Sequence, residues 1–237
     1  MSPSAGFVLL DIEGTTTPVD FVYRVLFPDA RERVLEFLEA HAGDPEVSRD
    51  VSALRDEHAR DVAAGTAPPA WDGSVATVAA YARWLIDQDR KLTPLKSLQG
   101  RIWAEGYAAG QLRGQVYDDV PKALARWTAS GRRVAIFSSG SVLAQKLIFG
   151  HSDHGDLTRF LSGYFDTTTG AKREAESYRR IAAALGEPAG SGTFVSDVVA
   201  ELDAARTAGL ATALAVRSPE RPEPNGHRVV TSFDELS

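Results

Sequence analysis

Four widely separated stretches of this chain carry residue types that together could transfer a phosphoryl group. Asp11 follows the apolar run Phe7-Val8-Leu9-Leu10, and Glu13 stands two residues further on. Ser138 and Ser139 follow Val134-Ala135-Ile136-Phe137, and Asp197 follows Thr193-Phe194-Val195-Ser196. Lys172 lies ahead of a helical stripe that begins at Tyr178. A carboxylate such as Asp11 can attack phosphorus and form an aspartyl-phosphate. Carboxylate and phosphate repel each other, so a cation has to bridge them. Mg2+ prefers oxygen donors and needs only one or two carboxylates besides the phosphate and water. Asp11 and Asp197 could supply the carboxylates, with Glu13 adding a backbone oxygen. A seryl hydroxyl and an ammonium would hold the remaining phosphoryl oxygens. If the chain stays extended after Asp11, Glu13 leaves the same face and can give or take a proton.

These groups can meet only if their elements form a sheet. Asp11, Ser138 and Asp197 each stand at the end of a short, β-branched or aromatic apolar run, the pattern of a strand buried on both faces, and Lys172, in a loop region, could reach the same edge. Ala213–Val216 is a further run of this kind, and Val229-Val230 a weaker one. Between them lie helical patterns at Lys122–Ser130, at Val142–Phe149, at Tyr178, Ile181, Ala182 and Leu185, and at Val198, Leu202 and Ala205. Alternating strand and helix predicts a Rossmann-like, doubly wound parallel α/β sheet, in which ligands bind beyond the carboxyl ends of the strands.

Residues 28–64 and 73–112 show helical periodicity alone, with Val75, Val78, Ala79, Ala82, Leu85 and Ile86 in one stripe and Ile102, Trp103, Gly106 and Tyr107 in another. Gly65-Thr66-Ala67-Pro68-Pro69 separates the two halves. The expected organisation is a catalytic core of residues 1–18 and 115–237 with a helical cap, 19–114, inserted after the first strand. Such a cap would close over the site and exclude water. Arg221–Gly226 reads as an exposed loop.

Composition narrows the chemistry. The 237 residues carry a net charge of −6 and no cysteine. Thiolate metal sites, disulfides and a cysteine nucleophile are excluded. The acidic balance argues against a nucleic-acid groove or an anionic membrane as partner. No apolar stretch approaches the roughly 18 residues of a membrane span, and the start, Met1–Gly6, lacks the pattern of a secretory leader. A cytoplasmic monomer acting on a small phosphate ester is the expectation. The five histidines have no metal-ligand spacing beyond His151-x-x-His154, which reads as a polar loop. Trp71, Trp84, Trp103 and Trp127 read as core.

Each candidate also has a plainer reading. Asp11 could cap a turn, the Ser138–Ser141 run could be a helix cap, Lys172 a solvated charge, and Asp197-x-x-x-Glu201 a charged helix edge. Against these stands their joint placement, and the use of 21 Arg but only 5 Lys makes each lysine a less casual choice.

The blocks Asp11-Ile12-Glu13-Gly14-Thr15-Thr16-Thr17-Pro18 and Ser138–Lys146 resemble the haloacid-dehalogenase-like phosphohydrolases. Within that superfamily the resemblance is to the enolase-phosphatase (acireductone synthase) family of methionine salvage. Phe165-Asp166-Thr167 before Lys172, Glu174–Arg179, Ser196-Asp197-Val198 with Glu201, and Lys96–Trp103 fit the same family. The resemblance implies a magnesium enzyme that enolises 2,3-diketo-5-methylthiopentyl-1-phosphate and then removes its phosphate, releasing the acireductone. It implies Asp11 as nucleophile, Glu13 as second acid, Ser138 and Ser139 as substrate contacts, Lys172 as cationic partner, and Asp197 as metal ligand. Glu13 stands where the wider superfamily more often has Asp. Glu201 could support the metal ligands from behind. The enolisation base is left open among Glu13, the two serines, Lys96 and Gln99. The alternatives are a phosphatase or phosphomutase of the same superfamily acting on another small phosphate ester, and a binding module that kept the scaffold without the chemistry.

Overall fold

The computed structural model describes residues 6–219 and 223–236. Six strands form one parallel sheet: β1 (Phe7–Leu10), β2 (Arg133–Phe137), β3 (Gly163–Phe165), β4 (Gly192–Ser196), β5 (Ala211–Ala215) and β6 (Arg228–Val230). Their order is β3-β2-β1-β4-β5-β6, so the first strand of the chain lies in the middle. Phe7–Leu10 pairs in register with Arg133–Ile136 on one side and Gly192–Val195 on the other. Every strand runs the same way, which brings all the loops that follow strands to one edge.

β1 is apolar at every position because both of its faces are covered. On one face Phe7, Leu9, Phe137, Phe194 and Leu214 pack with Tyr178 and Ile181 of α8 (Ala175–Ala184) and with Leu202 and Ala205 of α9 (Val199–Thr207). On the other face Val8, Leu10, Val134 and Ile136 are equally buried, and α6 (Val120–Ala129) lies against β2. Trp127, on α6, tilts against Phe233 at 5.6 Å between centroids. Burying side chains of this size contributes about 1.5–3 kcal/mol each. α7 (Val142–Gly150) packs by β3 and is capped by Ser141, whose hydroxyl accepts from the Ala144 amide at 3.3 Å.

β3 was not among the runs read as strands. It is three residues long, at the sheet edge, and only half-buried, so it has too little apolar content to be read from pattern. β5 starts two residues earlier and ends one earlier than the Ala213–Val216 run.

The chain divides into two compact units, one of residues 1–21 and 113–237 and one of residues 22–112. The second is entirely helical. A short α1 (Val19–Phe21) leads into a π-helical turn, Val22–Leu26, and then α2 (Phe27–Ala40), α3 (Pro45–Ala63), α4 (Val75–Asp87) and α5 (Thr93–Ala108) follow. α3 is capped by Asp44, whose carboxylate accepts from the Glu46 and Val47 amides at 2.7 and 3.2 Å. Inside this unit Trp103 stacks on Phe27 and donates its indole N–H to the Leu26 carbonyl at 2.8 Å. Gln99 is buried on α5 and Lys96 half-buried. Trp103 and Trp127 are core residues, whereas Trp71 and Trp84 are only half-buried.

Among the described residues no helix is long and apolar enough to cross a membrane. His154 lies 3.3 Å from an Asp118 oxygen and 3.8 Å from one of Asp153, a polar loop as expected. Of the loop expected at Arg221–Gly226, Arg221 and Pro222 lie outside the described residues, as do residues 1–5 of the start read as lacking a leader pattern.

Candidate active site

The site begins with the turn that follows β1. The amides of Thr15, Thr16 and Thr17 all donate to the Ile12 carbonyl, at 3.1, 3.0 and 2.9 Å, and the Gly14 amide donates to the Thr17 carbonyl at 2.9 Å. The Thr16 hydroxyl returns to the Asp11 carbonyl at 3.0 Å. Winding the backbone around one carbonyl requires a left-handed residue, and Gly14 supplies it with φ +68°. A Cβ at Gly14 would also fall 2.3 Å from Oδ2 of Asp197, so glycine lets the metal-ligand candidate approach the backbone. Glu13 is therefore part of a closed turn rather than an extended continuation of β1.

The Asp11 carboxylate is 4% exposed and fully engaged. One oxygen accepts from the Ile12 amide at 2.7 Å and pairs with the Lys172 ammonium at 2.7 Å. The other accepts from the Ser196 hydroxyl at 3.1 Å. Lys172 is also buried and reaches Glu201 at 2.6 Å. It comes from the loop after β3, which α8 ties down: Ser177 donates to the Ala171 carbonyl at 2.7 Å and Tyr178 to the Lys172 carbonyl at 2.6 Å. Burial disfavours the Lys172 charge, but the Asp11 and Glu201 carboxylates outweigh it and hold the ammonium well above its ordinary range.

Asp197 follows β4. Burial, reinforced by the neighbouring Asp11 charge, pushes its carboxyl up to about 7. Glu201 is raised for the same two reasons. Ser138, fully buried after β2, donates to Glu13 Oε2 at 3.3 Å and accepts from the Gly140 amide at 3.0 Å. Ser139 is half-buried beside it. The structure thus brings Asp11, Lys172 and Glu201 into direct contact, joins Glu13 to Ser138, and sets Asp197 against the turn at Gly14.

Four further residues shape this edge. Glu201, marked by its spacing to Asp197, pairs with Lys172 at 2.6 Å. Ser196 joins Asp11 to Glu201 through one hydroxyl; its place at the strand end just before Asp197 was the available signal. Gln145, fully buried on α7, donates to the carbonyls of Gly140 and Phe165 at 3.0 and 2.8 Å and so fixes the serine loop to β3. Arg217, after β5, donates to the Thr15 carbonyl at 3.1 Å; nothing in its local sequence marks it. A cleft of about 370 Å³ opens beside Asp197, with Gly14, Tyr117 and Arg217 among its walls.

The donor set suits a hard divalent cation. Asp11 and Glu201 share one ammonium, Asp197 lies near enough to feel the Asp11 charge, Glu13 stands in the turn after Asp11, and every donor is an oxygen. Among the described residues no three His, Asp or Glu side chains form a ready metal cage. An ion bound by one or two carboxylates, water and substrate requires none.

The chain matches the haloacid dehalogenase-like hydrolase family over residues 7–209. It is 55% identical to enolase-phosphatase E1 of Synechococcus elongatus over 231 residues, covering 97% of this chain and 96% of that protein. It is 49% identical to enolase-phosphatase E1 of Pseudomonas aeruginosa over 229 residues, covering 97% and 96%. The crystal structure of the UTR4 protein of Saccharomyces cerevisiae superposes with a TM-score of 0.79 at 36% identity, over 98% of this chain and 99% of that one. Agreement of this kind over nearly the full length, on a parallel sheet with a helical insertion after its first strand, establishes that the chain belongs to the haloacid dehalogenase-like hydrolases and, among them, to the enolase-phosphatase family.

Proposed function

We propose that this protein is a magnesium-dependent enolase-phosphatase that converts 2,3-diketo-5-methylthiopentyl-1-phosphate to the acireductone 1,2-dihydroxy-3-keto-5-methylthiopentene and phosphate. The observation that carries this reading is the Asp11 carboxylate, buried at the end of the central strand and aligned by Lys172 at 2.7 Å and Ser196 at 3.1 Å. The identity to enolase-phosphatases over almost the whole chain supports the choice of substrate.

In this reading a proton leaves C1 of the diketone and one is gained at the C2 oxygen, giving the enol phosphate. An Asp11 oxygen then attacks phosphorus, the bond from phosphorus to the C1 oxygen breaks, and the enediol departs with a proton from Glu13. Water hydrolyses the aspartyl-phosphate, with Glu13 now accepting the proton, and Asp11 is regenerated. Lys172 orients Asp11 through their 2.7 Å contact and offers charge to the phosphoryl oxygens. Ser138 and Ser139 hold the phosphate from the β2 side. Magnesium, held by Asp11, Asp197 and Glu13, would neutralise charge on the transferring group.

The test is turnover of the diketone phosphate with and without magnesium, followed optically and by phosphate release. Transient enol absorbance, then acireductone and one equivalent of phosphate, all dependent on the metal, is the expected result. Phosphate release from simple sugar phosphates with no turnover of the diketone would instead assign a general phosphatase of the same superfamily.

A further inference from the structure

The chemistry above leaves a buried charge unused. Arg217 sits just beyond β5 with its side chain 8% exposed. Its guanidinium carbon lies over the rings of Tyr117 and Phe233, 4.5 and 4.6 Å from their centroids. Nη1 pairs with Asp119 at 2.8 Å and donates to the Thr231 carbonyl at 3.0 Å, while Nε donates to the Thr15 carbonyl at 3.1 Å. An ion pair with Asp119 alone could be made by lysine. A flat fork held over two rings and reaching acceptors on three segments at once needs arginine.

The third of those segments is the turn that carries Asp11 and Glu13 into the site. Inside that turn the bonds converge on Ile12. Besides the Ser138 hydrogen bond to the Glu13 side chain, two backbone ties run outward from the carbonyls of Thr15 and Thr16, to Arg217 Nε at 3.1 Å and to the Tyr117 amide at 3.0 Å. Both backbone ties belong to one stacked cluster. Gly14, in the same turn, is the backbone against which Asp197 rests. A shift of the turn would therefore move Asp11, Glu13 and the seat of Asp197 together, and misplacement on the scale of an ångström costs about a hundredfold in rate.

We propose that Arg217 is a positioning residue for phosphoryl transfer, acting through the Thr15 carbonyl to fix the Gly14–Thr17 turn. The inference rests on the reading of Asp11 as nucleophile, and its test separates the two. Arg217→Lys and Asp119→Asn are made in the full chain. Amide hydrogen exchange is measured on both, and kcat and KM are measured for phosphate release from the diketone phosphate. Arg217→Lys is expected to speed exchange at Thr15, Thr16 and Thr17 by about tenfold or more while Phe7–Leu10 stays protected. It is also expected to lower kcat by about tenfold or more, with KM within about threefold. Asp119→Asn removes the charge pair but leaves the Thr15 contact, so it is expected to lower Tm without selective exchange in the turn. Unchanged turn exchange in Arg217→Lys, the same uniform increase in both variants, or faster exchange with kcat intact would overturn the proposal. If wild-type protein releases no phosphate, the functional reading fails on its own, and the exchange arm still decides whether Arg217 holds the turn.

Discussion

At the scale of single residues, the Asp11 carboxylate is held by the Ile12 amide, the Lys172 ammonium and the Ser196 hydroxyl. Asp11→Asn keeps the shape but removes the proposed nucleophile, so phosphate release is expected to fall by about 10⁴-fold or more, with no acid-stable phosphorylated protein in a rapid-quench experiment. Lys172 has a second consequence. Lys172→Met leaves Asp11 and Glu201 facing each other without a counter-charge, which is expected to cost about 3–5 kcal/mol in urea unfolding of the metal-free protein as well as abolishing turnover. Asp119 gives a pH signature. Burial alone would raise its carboxyl above 3.8, but the hydrogen bond and charge of Arg217, with the Phe233 amide, outweigh burial and depress it. A depressed folded value means the stabilisation is complete above 3.8 and is lost as pH falls through the folded value. The stability gap between wild type and Asp119→Asn, measured by urea unfolding, is therefore expected at pH 7 and closes toward strongly acid pH.

At the scale of elements, much of the site was legible because its residues end strands. Asp11, Ser138 and Asp197 each follow a short apolar run, and parallel pairing sends all three to one edge. Lys172 was less legible: β3 before it is an edge strand of three residues, and the loop beyond it takes its shape from Ser177 and Tyr178 on α8. Arg217 was not legible at all, since an arginine after a strand has no periodicity and its partners lie on three distant segments. The closed turn after β1 could be suspected from Gly14 but not drawn, because its shape depends on which carbonyl collects the amides. Gly14→Ala tests that turn. Strain at φ +68° and collision with Asp197 act together, so Tm is expected to drop by several degrees and phosphate release to be lost. Asp197→Asn, without the backbone strain, is expected to lose activity with little change in Tm.

At the scale of the whole molecule, the chain divides into two compact units. Trp71, Trp84 and Trp103 lie in the helical unit, and Trp127 lies under the sheet. Their fluorescence can therefore be assigned. A variant retaining only Trp127 and another lacking it are expected to report different urea midpoints, because two compact units need not unfold in one step. Coincident transitions would mean that the two behave as one cooperative block.

The position of β1 also governs when the protein becomes competent during synthesis. The strand bearing Asp11 is made before the other five, and both of its neighbours, Arg133–Phe137 and Gly192–Ser196, follow much later. Until the second of them emerges, β1 has no slot between two neighbours to occupy, whereas residues 22–112 are contiguous in the chain and emerge as one compact unit. A nascent chain arrested before Gly192 would thus hold Asp11 on a strand that still lacks one of its two neighbours.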